Sequence, residues 1–197
     1  MVAGLHPDGM WLLDGRIDRG LATNGQIAAV VSELCAKWAI DGLQVGWLVI
    51  EDKAFQKGLL KDDSFRDLAV RYGFVIVPYN TGGEKNDPDI GVPSMSAAFD
   101  QGRIVFPGAD DPATNQFMKH VTSQFTKWRP RVSGARLTQD YVMTTWFAFL
   151  RWRKLRLQLD SLGPNPDRSI YGNASAFRTT ALPYEQTPVL LLSGQLR

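Results

Sequence analysis

The sequence predicts an α/β layered domain built on a mixed sheet. Strand-like and helix-like segments alternate along the chain, an opening hairpin brings in antiparallel pairing, and one dense apolar run has the length and β-branching of a buried strand. His6-Pro7-Asp8-Gly9 is a turn signal, with Pro at its second position and Gly at its fourth. Val2–Leu5 and Met10–Ile17 on either side therefore read as paired strands. After Asn24-Gly25, the residues Ile27, Val30, Val31, Leu34, Cys35 and Trp38 recur at the spacing of one helix face. Val45-Gly46-Trp47-Leu48-Val49-Ile50 follows as the buried central strand.

Phe65, Leu68, Ala69 and Tyr72 mark a second helix, closed by Gly73, and Phe74–Pro78 reads as a second buried strand. Thr81–Pro88 is a polar loop, Ser94–Gln101 a short helix, and Arg103–Pro107 an edge strand or extended segment. Phe117, Val121, Phe125 and Trp128 define a further helix, and Gln139–Leu157 a long last one. Residues 1–159 are thus expected to form one domain. Gly, Pro, Asn and Ser dominate after Leu159, so residues 160–197 are expected to be a loosely structured tail. The tail's apolar Val189–Leu192 is suited to dock as an added strand.

At 197 residues, the chain is long enough for one sizeable core. Its 44% hydrophobic and 21% charged residues are ordinary for a soluble protein. No stretch approaches the roughly 18–20 apolar residues of a membrane span, and the N-terminus does not read as a signal peptide. A single cysteine, Cys35, excludes an internal disulfide framework and fits a reducing cytoplasm. With only two well-separated histidines beside it, no zinc ligand cluster arises. There is no G-x-x-x-x-G-K-[ST] segment, so an ATPase core is not expected.

The net charge of +2 conceals an asymmetry. Residues 1–118 carry 10 Lys/Arg against 16 Asp/Glu, whereas residues 119–156 carry nine Lys/Arg against one acid, Asp140. A basic segment of this kind is the footprint expected for a phosphate backbone, or else a solvated helix face. Two acids stand out. Glu51 follows the central strand directly, where open α/β sheets bind ligands. There it is either a metal ligand or an acid that caps the next helix or pairs with Lys53 or Lys57. Asp140 opens the last helix and shares a face with Met143, Thr144 and Phe147, so it either turns toward the sheet or caps the helix, with Thr138 as an alternative cap. Together the two could form part of a two-metal site for phosphodiester cleavage.

Three segments carry a family resemblance. They are Val49-Ile50-Glu51-Asp52-Lys53-Ala54-Phe55-Gln56, the stretch from Lys85-Asn86-Asp87-Pro88 through Val105-Phe106-Pro107, and Thr138-Gln139-Asp140-Tyr141-Val142-Met143-Thr144-Thr145-Trp146-Phe147-Ala148. In that order they resemble the C-terminal nuclease domain of phage terminase large subunits, over roughly Leu43 to Arg156. The resemblance implies an RNase H-like mixed sheet flanked by helices, and cleavage of concatemeric double-stranded DNA with Mg²⁺ or Mn²⁺, two ions in all. It implies that Glu51 and Asp140 are catalytic metal ligands. Arg151, Arg153, Lys154 and Arg156 become backbone contacts to DNA. Lys85 is a further contact or a solvated loop lysine. The ATPase half, the portal and the small terminase subunit are the implied partners, and the cytoplasm of the infected bacterial host is the implied location.

The sequence departs from the family at one place. The family's first catalytic aspartate lies on the first strand of the sheet, and no residue here matches it. The hairpin Val2–Ile17 resembles the second and third strands, which puts the first strand upstream of Met1. A rival alignment sets His6 in place of that aspartate but leaves no room for the second strand, and Asp14 is a remote substitute. The sequence therefore supports two main readings, an active nuclease domain and a DNA-binding module of a split or truncated terminase. An assembly module contacting the portal or small subunit is a third.

Overall fold

The hairpin forms as the turn signal requires. β1 (Val2–His6) and β2 (Gly9–Asp14) pair antiparallel, with Leu5 opposite Met10 and His6 opposite Gly9. The structure, a computed structural model, describes residues 1–6, 8–15, 23–40, 42–51, 56–59, 61–79, 82–108, 111–129, 139–161 and 187–192. The register shifts between Val2 and Ala3, whose partners are Asp14 and Leu12. This bulge leaves Leu13 without a partner and turns Asp14 onto the same face as Val2.

α1 (Asn24–Ile40) follows and buries Ile27, Val31, Leu34, Cys35 and Trp38, the face its spacing predicts. β3 (Trp47–Glu51) comes next, then the short α2 (Gln56–Leu59) and α3 (Asp63–Tyr72). Asp62 caps α3 through its carboxylate, and Gly73 ends it at φ 72°, a left-handed conformation that glycine adopts without strain. β4 (Val75–Tyr79) then pairs parallel to β3. Two 3₁₀ turns, Gly83–Asn86 and Val92–Met95, lead to α4 (Ser96–Asp100) and to the two-residue β5 (Ile104–Val105). α5 (Pro112–Lys127) and α6 (Asp140–Ser161) complete the helices, and β6 (Thr187–Leu192) comes last.

The strands make one mixed sheet in the order β4-β3-β6-β1-β2-β5, so the α/β expectation holds. β4 is an edge strand rather than the buried strand expected from Phe74–Pro78. Val75 is 59% exposed, and Pro78, which has no N–H to donate, suits a strand paired on one flank only. The apolar segment Val189–Leu192 does dock, but in the interior of the sheet: β6 lies antiparallel to β1 and parallel to β3.

The core has two layers, one on each sheet face. α1 and α3 pack Val31, Trp38, Phe65 and Leu68 against Val2, Leu48 and Ile50. On the other face, α4, α5 and α6 pack against Ala3, Leu5, Met10, Leu12 and Val49. The nine residues Tyr141–Phe149 are all buried, not just one stripe of α6. An almost unbroken apolar run permits this, because a helix that is apolar all round is stable only when enclosed. Its two polar members bond back to the preceding turn. Thr144 Oγ1 donates to the Asp140 carbonyl at 2.7 Å, and Thr145 Oγ1 to the Tyr141 carbonyl at 2.7 Å.

Trp146 should be the costliest single truncation here. It is fully buried, and its indole N–H donates to the Ile90 carbonyl at 2.9 Å. Trp146→Ala is expected to lower unfolding free energy by about 3–5 kcal/mol in a denaturant titration. At the start of α5, Asp111 accepts from the Ala113 and Thr114 amides at 2.9 and 3.0 Å, with Pro112 at the first helical position. Hydrogen bonds from the Thr114 hydroxyl and amide hold its carboxyl below the ordinary value. A depressed pKa stabilises the fold above the unfolded-state value of about 4 and is lost as pH falls through the folded-state value. Asp111→Ala should therefore lower Tm at pH 7, and the difference from the parent should shrink below pH 4.

Candidate functional site

Glu51 ends β3, and its carboxylate is buried at 3% exposure. A desolvated carboxylate needs hydrogen bonds or a cation to offset the lost hydration. Alternation along β3 sets its direction. Leu48 and Ile50 belong to the layer under α1 and α3, so Val49 and Glu51 face α6. Across the parallel ladder, Tyr79 is the register partner of Glu51. Its ring packs on α6, 5.6 Å from Trp146 and 5.1 Å from Phe147 between centroids. Burial, and then the charge of Glu84, push the Tyr79 hydroxyl above its ordinary value. Sequence reasoning missed Tyr79; its place at the end of a strand next to β3 was the available signal.

The direction of α6 decides whether Asp140 can join Glu51. Thr144 and Thr145 lie against the Met1 sulfur, with Thr144 Oγ1 at 3.6 Å, while Trp152 Nε1 donates to the His6 carbonyl at 2.7 Å. α6 thus runs parallel to β1. Since β1 is antiparallel to β6, which is parallel to β3, α6 runs opposite to β3. Its first residue lies at the end of the sheet where β3 finishes, on the face toward which Glu51 points. Fold topology therefore brings both predicted acids to one end and one face. Nearby, the Tyr141 amide donates to Gln124 Oε1 at 2.8 Å and ties the start of α6 to α5. Gly15 is also pinned there: a Cβ on it would meet Phe117 at 2.6 Å and Tyr141 at 3.0 Å.

The other acid and histidine weighed from the sequence fall elsewhere. Asp14 reaches the same end of the sheet but the opposite face, where it pairs with Lys37 of α1. His6 ends β1 and so lies at the opposite end of the sheet from Glu51. Among the described residues, no three of the His, Cys, Asp and Glu side chains gather closely enough to hold a metal ion. Asp52, Lys53 and Thr138 lie outside the described residues.

The four basic residues of α6 do not surround the acids. The guanidinium of Arg151 sits 4.4 Å from the ring centroid of Trp47, the first residue of β3. Arg151 comes eleven positions after Asp140, about 16 Å along the helix. Partial burial lowers the Arg151 pKa from its ordinary value. Arg153 donates to the Asp89 carbonyl at 3.0 Å, Arg156 lies 3.9 Å from Asp160, and Lys154 is exposed. Lys85 is exposed in the turn after β4, next in sequence to Glu84, and so belongs to the Glu51 end of the sheet.

No helix among the described residues is long and apolar enough to cross a membrane. Comparison with known protein families, curated proteins and solved structures finds no match for this chain.

The Arg151–Trp47 contact should be measurable by itself. A double-mutant cycle with Trp47→Ala and Arg151→Ala is expected to give a coupling of about 0.5–1 kcal/mol, the range for a partly exposed cation–π pair.

Proposed function

We propose that this chain is the nuclease domain of a phage-type DNA-packaging terminase, with an RNase H-like sheet, and that it cuts double-stranded DNA by metal-dependent hydrolysis. The observation that carries the reading is Glu51, a buried carboxylate closing a paired interior strand on the face where α6 begins with Asp140. The topology is compatible with it. A hairpin leads into two parallel strands joined by helices, and β6 stands beside β1 where the first strand belongs in an RNase H-like sheet.

Two carboxylates offer hard oxygen donors, which suit Mg²⁺ or Mn²⁺. A divalent ion bound by them supplies an activated water and charge stabilisation for the leaving oxygen. The second ion of a two-ion site needs ligands beyond Glu51 and Asp140. The chain's own residues provide the rest. β3 is paired on both flanks as far as Ile50, which holds Glu51 in place without reorganisation. The N-terminus of α6 favours negative charge at Asp140. Lys85, exposed in the turn after β4, would meet a phosphate near the cleaved bond. The cluster at Arg151, Arg153, Lys154 and Arg156, about 16 Å along α6, corresponds to roughly five phosphates down one strand. Contacts there fix the position of the duplex without reading its sequence. The ATPase half, portal and small terminase subunit as partners, and the host cytoplasm as location, belong to the same proposal.

A second reading is favoured by one observation: no third acid joins Glu51 and Asp140 among the described residues. On that reading the chain is a catalytically incomplete DNA-binding module of a split or truncated terminase.

Plasmid nicking with Mn²⁺ separates the two. The nuclease reading expects nicking that Glu51→Gln and Asp140→Asn each reduce by roughly 100-fold or more. Intact plasmid after prolonged incubation with the parent chain would favour the binding module. Both readings expect DNA affinity to fall with salt, and replacing Arg151, Arg153, Lys154 and Arg156 by Gln should flatten that dependence; an unchanged slope would remove these four from the interface.

A further inference from the structure

α6 grips the loop Glu84–Gly91 at two successive carbonyls. Trp146 Nε1 donates to the Ile90 carbonyl at 2.9 Å, and Arg153 Nη1 donates to the Asp89 carbonyl at 3.0 Å. Trp146, Phe149 and Arg153 fall at i, i+3 and i+7, so one stripe of the helix faces the loop. The Arg153 guanidinium also lies 5.8 Å from the ring centroid of the buried Phe149. A guanidinium that rests on a ring and bonds to a main-chain carbonyl is held in one orientation. Lys154 beside it is exposed.

The loop passes that hold on, because its own hydrogen bonds close it. The Asp87 amide donates to the Glu84 carbonyl at 2.9 Å, and the Gly91 amide donates to the Asp87 carbonyl at 2.9 Å. The Asp87 carboxylate accepts from the Asp89 and Ile90 amides at 2.8 and 3.1 Å. Gly91 is buried among these groups. A Cβ on it would stand 2.4 Å from the Glu84 carbonyl oxygen and 2.7 Å from the Lys85 carbonyl carbon. At such close packing, a shift of the Asp89 and Ile90 carbonyls carries the Lys85 backbone with it.

We infer that Arg153 is a positioning residue that holds the loop, and through it Lys85, against a DNA phosphate, an assignment that rests on the proposed nuclease reading. Arg153 then acts on DNA through Lys85. Arg151, Lys154 and Arg156 remain as the direct backbone contacts of α6.

Duplex DNA affinity measured against salt, in Ca²⁺ and over times that leave the duplex intact, separates a positioning role from a direct contact. The salt slope counts the phosphates neutralised. Lys85→Gln should lower it by about one unit, and so should Arg153→Gln. The two together should still lose about one unit, with no further loss of affinity. Lys154→Gln combined with Lys85→Gln should lose about two units, as independent contacts do. Gly91→Ala, which displaces the Lys85 backbone and removes no charge, should reproduce the loss seen for Arg153→Gln. In the free chain, Arg153→Gln should speed hydrogen exchange of the Asp89, Ile90 and Gly91 amides. A loss of about two units for the Lys85–Arg153 pair would overturn the inference and leave the nuclease reading standing. So would an unaltered slope in Lys85→Gln, or loop exchange that Arg153→Gln leaves unchanged. A parent chain that binds no duplex would sink that reading and the inference together.

Discussion

The enclosure of α6 is the constraint on which the rest of the molecule depends. A helix with nine consecutive buried residues must have protein on every side. The sheet supplies one wall, α5 a second through Gln124 and Phe117, and the segment around Ile90 a third through the bond to Trp146. Those contacts fix the axis and direction of the helix together. Once Trp152 bonds to the end of β1 and Thr144 lies against Met1, Asp140 has one place to be, the end of the sheet where Glu51 emerges.

The same enclosure sorts the charges. Within α6, ionised side chains are confined to the first residue and to the segment from Arg151 onward, because the stretch between is buried. A carboxylate and a basic cluster thus stand about 16 Å apart on one rigid rod. Aromatic rings beneath Arg151, Arg153 and Arg156 steady the basic end, since a guanidinium retains its charge while resting on a ring face.

Much of the architecture was legible in the residues. The hairpin turn, the apolar face of α1, the stop at Gly73 and the β-branched run before Glu51 are local signals, and each produced its element. The burial of β4 was misread because an apolar run reports hydrophobicity and not the number of neighbouring strands; Pro78 was the sign of an edge. The bulge at Leu13 was also invisible. One extra residue in a strand changes the face of Asp14 without changing the local composition, and only the register against β1 and the pairing with Lys37 reveal it.

By itself the sequence determined the alternation of strands and helices, the strand-end position of Glu51, the helix-start position of Asp140 and the charge asymmetry, since all of these are set by near neighbours in the chain. Tertiary structure decided how they combine. It set the two acids at one end and one face, sent His6 to the other end and Asp14 to the other face, and carried the α6 arginines away from the acids. It also drew β6 into the middle of the sheet. Strand pairing and helix direction depend on contacts between residues far apart in sequence, as between Leu192 and Ile50, and no local pattern records them.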